Sequence, residues 1–139
     1  MDEVLMDTDV FSFLLRQEDT RANIYRPHLQ DQVVVISYVT IGELYYWAER
    51  KKWRAERLRH MEQTIRATTV VRYDLEVCST YARLKSALRN PSGSHRVIGD
   101  NDLWIAACAV RHGLPLITHN RRHFEDIPGL SIICEAPQL

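Results

Sequence analysis

Residues 4–15 read VLMDTDVFSFLL. A short apolar run ends at Asp7, and the polar turn behind it opens into a segment with helical spacing. A strand therefore gives way to a helix at an acid, with Thr8 or Asp9 as the expected N-cap. The pattern returns twice. Residues 33–48, VVVISYVTIGELYYWA, pass from a β-branched run of the kind buried in a parallel sheet into a helix expected over 40–51. Ile41, Leu44, Tyr45 and Ala48 share one face of it, and its first turn carries Glu43. Residues 96–110, RVIGDNDLWIAACAV, set Asp100 and Asp102 ahead of a third stripe of Leu103, Ala106, Ala107 and Val110, which Gly113 stops.

The intervening chain fills in the same alternation. Helices are expected over 21–30 and 54–67, then a brief strand in TTVVR (68–72). Asp74 is placed to cap a helix with Leu75, Cys78, Tyr81, Ala82 and Leu88 on its buried side. NPSGSHR (90–96) is dense in turn formers, and LPLITHN (114–120) and LSIICE (130–135) read as the last strands. There is no internal repeat and no linker. Alternating strands and helices over residues 1–139 predict one α/β unit, a three-layer α/β/α sandwich around a mostly parallel sheet. Ligands of such sheets sit at the carboxyl ends of the strands. Asp7 falls there, and the first turns of the Glu43 and Asp102 helices come close by.

Acids brought to one sheet edge oppose one another. Two carboxylates about 4 Å apart repel by roughly 4 kcal/mol at an effective dielectric near 20. A site with three or four requires protonation or a divalent cation, so the pattern points to a hard metal ion and the chemistry it supports. Taken singly, each acid has a structural explanation as a helix cap or dipole partner. His119 and His123 are four residues apart but lack thiol partners, so zinc is not indicated.

Composition narrows the classes. With 45% hydrophobic and 26% charged residues the chain is ordinary globular protein, and no apolar run approaches the ~20 residues of a membrane span. The acidic N-terminus lacks the basic region of a signal peptide. The expectation is a complete, cytoplasmic protein. Cys78, Cys108 and Cys134 are odd in number and widely separated, as expected of reduced core thiols. Net charge is zero, yet ERKKWRAERLRH (49–60) and HNRRHF (119–124) are basic clusters. An acidic pocket rimmed by such residues still attracts a phosphate backbone, although the first cluster also reads as a solvated helix face. Tyr46, Trp47 and Trp53 read as core or interface, with base stacking as the alternative.

At these residues the sequence resembles the PIN-domain family, and within it the VapC-type toxins of bacterial toxin–antitoxin pairs. LMDTDVFSFLL, ISYVTIGELYYWA, IGDNDLWIAACAVRHGLPLITHN and RRHF occur in the family's order and span 5–124. The resemblance implies a metal-dependent endoribonuclease using Mg²⁺ or Mn²⁺. Its three acids fall on Asp7, Glu43 and Asp102, and its fourth position, Asp or Asn in such proteins, on Asn120. Thr8, Thr40 and Thr118 match the small hydroxyl residues that line the pocket. Asp9 departs from the Asn more usual beside the first acid, and Asp100 is an additional acid assigned with the others to the metal and to catalysis, directly or through water. Arg96, Arg121 and Arg122 are candidate contacts to the RNA backbone. The implied partners are a small antitoxin, a transfer RNA or ribosomal RNA loop, and a second copy in a homodimer.

Two rival readings remain open at this level. LMDTDV also fits the opening of haloacid dehalogenase-like phosphatases, with Asp7 as nucleophile and Lys85 as the phosphate-binding lysine, although the later acids are too close together for that family. A non-catalytic PIN-like module binding RNA or protein would lack acids that are all present here.

Overall fold

The computed structural model describes residues 2–16, 18–88 and 98–137. In chain order the elements are β1 (Asp2–Met6), α1 (Thr8–Leu15), α2 (Arg21–Leu29), β2 (Gln32–Ile36), α3 (Tyr38–Arg50), α4 (Ala55–Arg66), β3 (Thr69–Val70), α5 (Leu75–Ala87), α6 (Asp100–His112), β4 (Leu116–Ile117) and β5 (Ile132–Ile133). A 3₁₀ turn, Arg121–His123, lies between β4 and β5. The sheet runs β3-β2-β1-β4-β5, and every pairing is parallel. β1 is central. The order advances to one side through β2 and β3, then restarts on the other with β4, so the reversal lies between β1 and β4.

Side-chain alternation along the strands builds both outer layers. Val4 and Met6 of β1, Ile36 of β2 and Ile117 of β4 face a core with Val10, Phe11 and Phe13 of α1, Tyr25 of α2, Leu44 of α3 and Met61 of α4. Leu5, Val35 and Leu116 face the other way, onto Val77 and Leu84 of α5 and the Leu103–Ala109 stretch of α6. The expected three-layer α/β/α sandwich is therefore present. No helix of the described residues is long and apolar enough to cross a membrane.

Local readings shift in places. Asp7 itself, not Thr8 or Asp9, is the N-cap of α1. α3 starts at Tyr38, capped by Ser37, which moves Glu43 into the second turn, and its buried residues are Thr40, Leu44 and Ala48. Tyr45 is exposed instead and donates to Glu62 of α4 at 2.6 Å. In α5 Asp74 caps as expected, but the buried residues are Val77, Thr80 and Leu84, while Leu75 is 87% exposed. The i, i+3, i+7 stripe of that helix includes a threonine, so a count of apolar residues alone put the face one step out of phase. Cys108 is buried as expected and Cys78 is exposed. Gly113 closes α6 in the left-handed conformation, φ 65°, which a side chain would strain. The expected loop at 90–96 lies outside the described residues.

The face of α5 is open to a direct test. Leu84→Ala, at a site 5% exposed, is expected to cost about 2–5 kcal/mol in urea unfolding. Leu75→Ala is expected to stay within about 0.5 kcal/mol of wild type. The reverse ranking would return the buried face to the Leu75 side.

Candidate active site

The β1/β4 register pairs Leu5 with Leu116 and Met6 with Ile117, which sets Asp7 and Thr118 side by side just past the strand ends. Asp7 is 6% exposed. One carboxylate oxygen accepts from the Thr8 backbone N–H at 2.8 Å, the other from the Thr118 hydroxyl at 2.7 Å. Thr118 in turn accepts from the Asn120 N–H at 3.0 Å. On the α3 side the Thr8 hydroxyl donates to Glu43 Oε1 at 2.7 Å and lies 2.9 Å from the Thr40 hydroxyl. A hydroxyl has one proton, so the order is Thr40 to Thr8 to Glu43. Thr8 and Thr118 thus bond acids directly, and Thr40 bonds Thr8.

Asp9, left open by the sequence, belongs to the cluster. It accepts from its neighbour Val10 N–H at 2.6 Å and from the His119 N–H at 3.2 Å. Asp102 arrives from the first turn of α6 and pairs with His123 Nδ1 at 2.8 Å. The Asn120 amide lies 3.0 Å from the other nitrogen of that ring. With the amide donating to Nε2, the Nδ1 proton is left for Asp102. Asn120 thus joins the site through His123. Asp100 does not join it. It is exposed and bound to the Tyr81 hydroxyl at 2.8 Å and Lys85 at 3.4 Å, because the two positions between it and Asp102 turn its side chain about 200° around the helix. Arg121 and Arg122 sit in the 3₁₀ turn after Asn120. Arg96 lies outside the described residues.

Charge ties the four acids together. Burial holds the Asp7 carboxyl well above the usual carboxylate range; Asp9 and Asp102 push it further, against the bonds from Thr118 and Thr8. Burial also raises Asp9, against hydrogen bonds from the Val10 and His119 N–H groups and from the Asp7 carboxyl that favour its ionised form. Glu43 is raised by burial, then by Asp102 and Asp9, with Thr8 and Asn101 opposing. Asp102 is raised by burial and Asp9, with His123 opposing. Exposed Asp100 shifts the other way, lowered by its bonds to Tyr81 and Lys85. Asp102 therefore shares the field of the site while Asp100 does not.

Among the described residues no three His, Cys, Asp or Glu side chains are placed to hold a metal ion as they stand. His123 holds Asp102 and Thr8 holds Glu43. The donor set nevertheless fits a hard divalent cation. It consists of carboxylate oxygens, each held above its usual range by burial and, in most cases, by its neighbours, so an added positive charge relieves them all. The two histidines part company, His123 pairing with Asp102 and His119 turning to a tyrosine. His119 bonds the Tyr25 hydroxyl at 2.6 Å and stacks edge-on to Phe13. Tyr25, fully buried and pushed up to about 12 by burial, also accepts from the Glu135 N–H at 3.1 Å. That network steadies the turn carrying Thr118 and His119. No sequence signal marked Tyr25 or Asn101, and His123 drew notice only for its spacing from His119, because each works through a partner distant in the chain. Lys85, the phosphate-binding lysine of the phosphatase reading, is paired with Asp100 and away from Asp7.

Known proteins bear on this geometry. A family model described as PIN domain matches residues 4–130. The chain is 26% identical over 126 residues to Ribonuclease VapC2 of Haemophilus influenzae, covering 91% of this chain and 92% of that one. It is 28% identical over 126 residues, with the same coverage, to the tRNA(fMet)-specific endonuclease VapC of Shigella flexneri. Among solved structures, DNA-bound VapBC from Salmonella typhimurium superposes with TM-score 0.81 and 27% identity, covering 96% of this chain and 98% of the other.

A carboxyl with a raised folded pKa binds protons more tightly when folded. Stability then falls as pH rises from the ordinary carboxylate range through the raised value, and stays lower above it. Asp7→Asn removes that penalty. Without divalent ions, the variant is expected to melt higher than wild type at pH 7, with the gap shrinking toward pH 4. Calorimetry showing a gap that is constant, or that widens on acidification, would contradict a strained carboxylate at Asp7.

Proposed function

The chain belongs to the PIN-domain family, and on that premise we propose that it is a metal-dependent endoribonuclease, the toxin half of a toxin–antitoxin pair. The observation that carries the reading is the gathering of Asp7, Glu43 and Asp102, from three separate elements, into one electrostatic field at the carboxyl end of the sheet. The names of the relatives, a ribonuclease and an endonuclease, and a structural neighbour from the VapBC family of toxin–antitoxin systems support it.

Asp7, Glu43 and Asp102 are the residues that would hold Mg²⁺ or Mn²⁺, with Asp9 beside them and Asn120 reaching the site through His123. Bound there, such an ion supplies a Lewis acid for the phosphoryl oxygen and a water of lowered pKa. The chain's own groups set the geometry. Thr118 and the Thr8 N–H fix both oxygens of Asp7. The Thr40–Thr8 relay fixes Glu43. Burial of Asp7 keeps bulk water from screening the charge. Hydrolysis by water leaves 5′-phosphate and 3′-hydroxyl ends on the RNA. Arg121 and Arg122 follow the site in the chain and serve as candidate contacts to the RNA backbone. The partner that restrains the enzyme is a small cognate antitoxin. A transfer RNA or ribosomal RNA loop suits protein–RNA recognition, which favours single-stranded loops whose bases are splayed out.

Purified protein is expected to cut RNA with Mg²⁺ or Mn²⁺ and to stop with EDTA. Sequencing of product ends should find 5′-phosphates. Thr118→Val, which removes a support of Asp7 rather than an acid, is expected to lower the rate about 10- to 100-fold, and Asp7→Asn at least as much. A folded Asp7→Asn protein cutting at the wild-type rate would sink the assignment.

A further inference from the structure

Beside the acids lies a cavity of about 380 Å³, lined by Val39, Gly42, Glu43, Tyr46, Trp47 and Asn101. It opens between α3 and the first turn of α6, and Glu43 belongs both to it and to the acid cluster. The other described lining groups are uncharged. Tyr46 stands one turn beyond Glu43 and is 62% exposed. Asn101 lies between Asp100 and Asp102 in sequence, and its side chain bonds Glu43. Gly42 leaves the helix bare where a side chain would otherwise stand. A Cβ built there meets nothing within 4 Å.

This chemistry selects among occupants. A phosphate or an acidic peptide is disfavoured, because among the described lining residues the charged group is a carboxylate and none is a cation. A long apolar side chain would leave Asn101 and the Glu43 edge unmatched. A flat, neutral group with polar edges fits all of them: it can stack on an aromatic ring and exchange hydrogen bonds with a side-chain amide.

From this we infer that the cavity is a nucleobase subsite, taking the base next to the scissile phosphate, with Tyr46 as stacking surface and Asn101 as reader of the base edge. The inference rests on the ribonuclease reading above and adds to it a means of selecting the cut. Gly42 is then a glycine because the helix surface must stay clear for the base, since neither backbone conformation nor close packing requires one there.

The test starts from total cellular RNA incubated with the wild type and Mg²⁺, which maps a cut. A stem–loop oligonucleotide of that sequence is then made with an abasic nucleotide on either side of the cut in turn. One of the two abasic substrates is expected to lower kcat/KM about ten- to hundredfold, the range that base–aromatic stacking is worth per base. Tyr46→Ala should lose a similar factor on the intact substrate and little more on the abasic one. Gly42→Leu, which fills the cavity with a better helix former, should melt no lower than wild type yet lose at least as much activity.

Equal cutting of both abasic substrates overturns the subsite, as does a full multiplication of the Tyr46→Ala and abasic losses, or wild-type cleavage by Gly42→Leu. A change in sedimentation mass with Gly42→Leu would assign the cavity to a second copy of the chain and overturn it equally. Absence of any cut by the wild type removes the ribonuclease reading itself, whereas cutting indifferent to the neighbouring base removes the subsite alone.

Discussion

The hydrogen bond from the Thr118 hydroxyl to the Asp7 carboxylate, 2.7 Å long, closes the sheet where its strand order reverses. A carboxylate as buried as Asp7 is tolerable only if its oxygens are bonded. One oxygen is met by the start of α1 and the other by the end of β4. Meeting both determines much else. α1 begins at Thr8 because Asp7 caps it, and the Thr8 hydroxyl is thereby aimed at Glu43. The turn after β4 is set because Thr118 also receives the Asn120 N–H. Satisfying one buried acid thus positions the residues that surround it.

The site works against the stability of the fold that carries it. Four acids are held above their ordinary range by burial, and their mutual repulsion adds to that cost for Asp7, Glu43 and Asp102. The offset comes from two apolar layers, one on each face of the sheet. Side chains alternating along β1 feed both at once. Strain concentrated where chemistry occurs, with ordinary packing elsewhere, is the usual arrangement in enzymes. The contrast between Asp102 and Asp100 shows how local it is. Two positions apart on one helix, one is drawn into the acidic field while the other rests on Tyr81 and Lys85 in solvent.

Much of the fold was legible because it follows from short-range pattern. VVVI before a helical stripe, Leu103 with Ala106 and Ala107, and Gly113 behind them are local statements, and β2, α3 and α6 form there, α3 starting two residues earlier than its stripe. Misreadings arose where polar residues are buried or large apolar ones are not. Thr40 and Thr80 are in the core, and Tyr45 and Leu75 are outside it. Hydrophobic spacing cannot see a threonine whose hydroxyl is satisfied by a neighbour. Nor can it tell which of two acids in one helical turn will face inward.

The sequence by itself determined the alternation of strand and helix, and so the parallel three-layer sandwich. It also determined the presence of acids at Asp7, Glu43 and Asp102, because periodicity and chain order are properties of consecutive residues. Only the tertiary structure decided that Asp9 enters the cluster, that Asp100 leaves it, and that His123 and Asn120 attend Asp102. It likewise decided that Thr118 answers Asp7 across 111 positions of chain. Hydrogen bonds and electrostatic fields act through space, and the neighbours that set them are chosen by the register of the folded sheet.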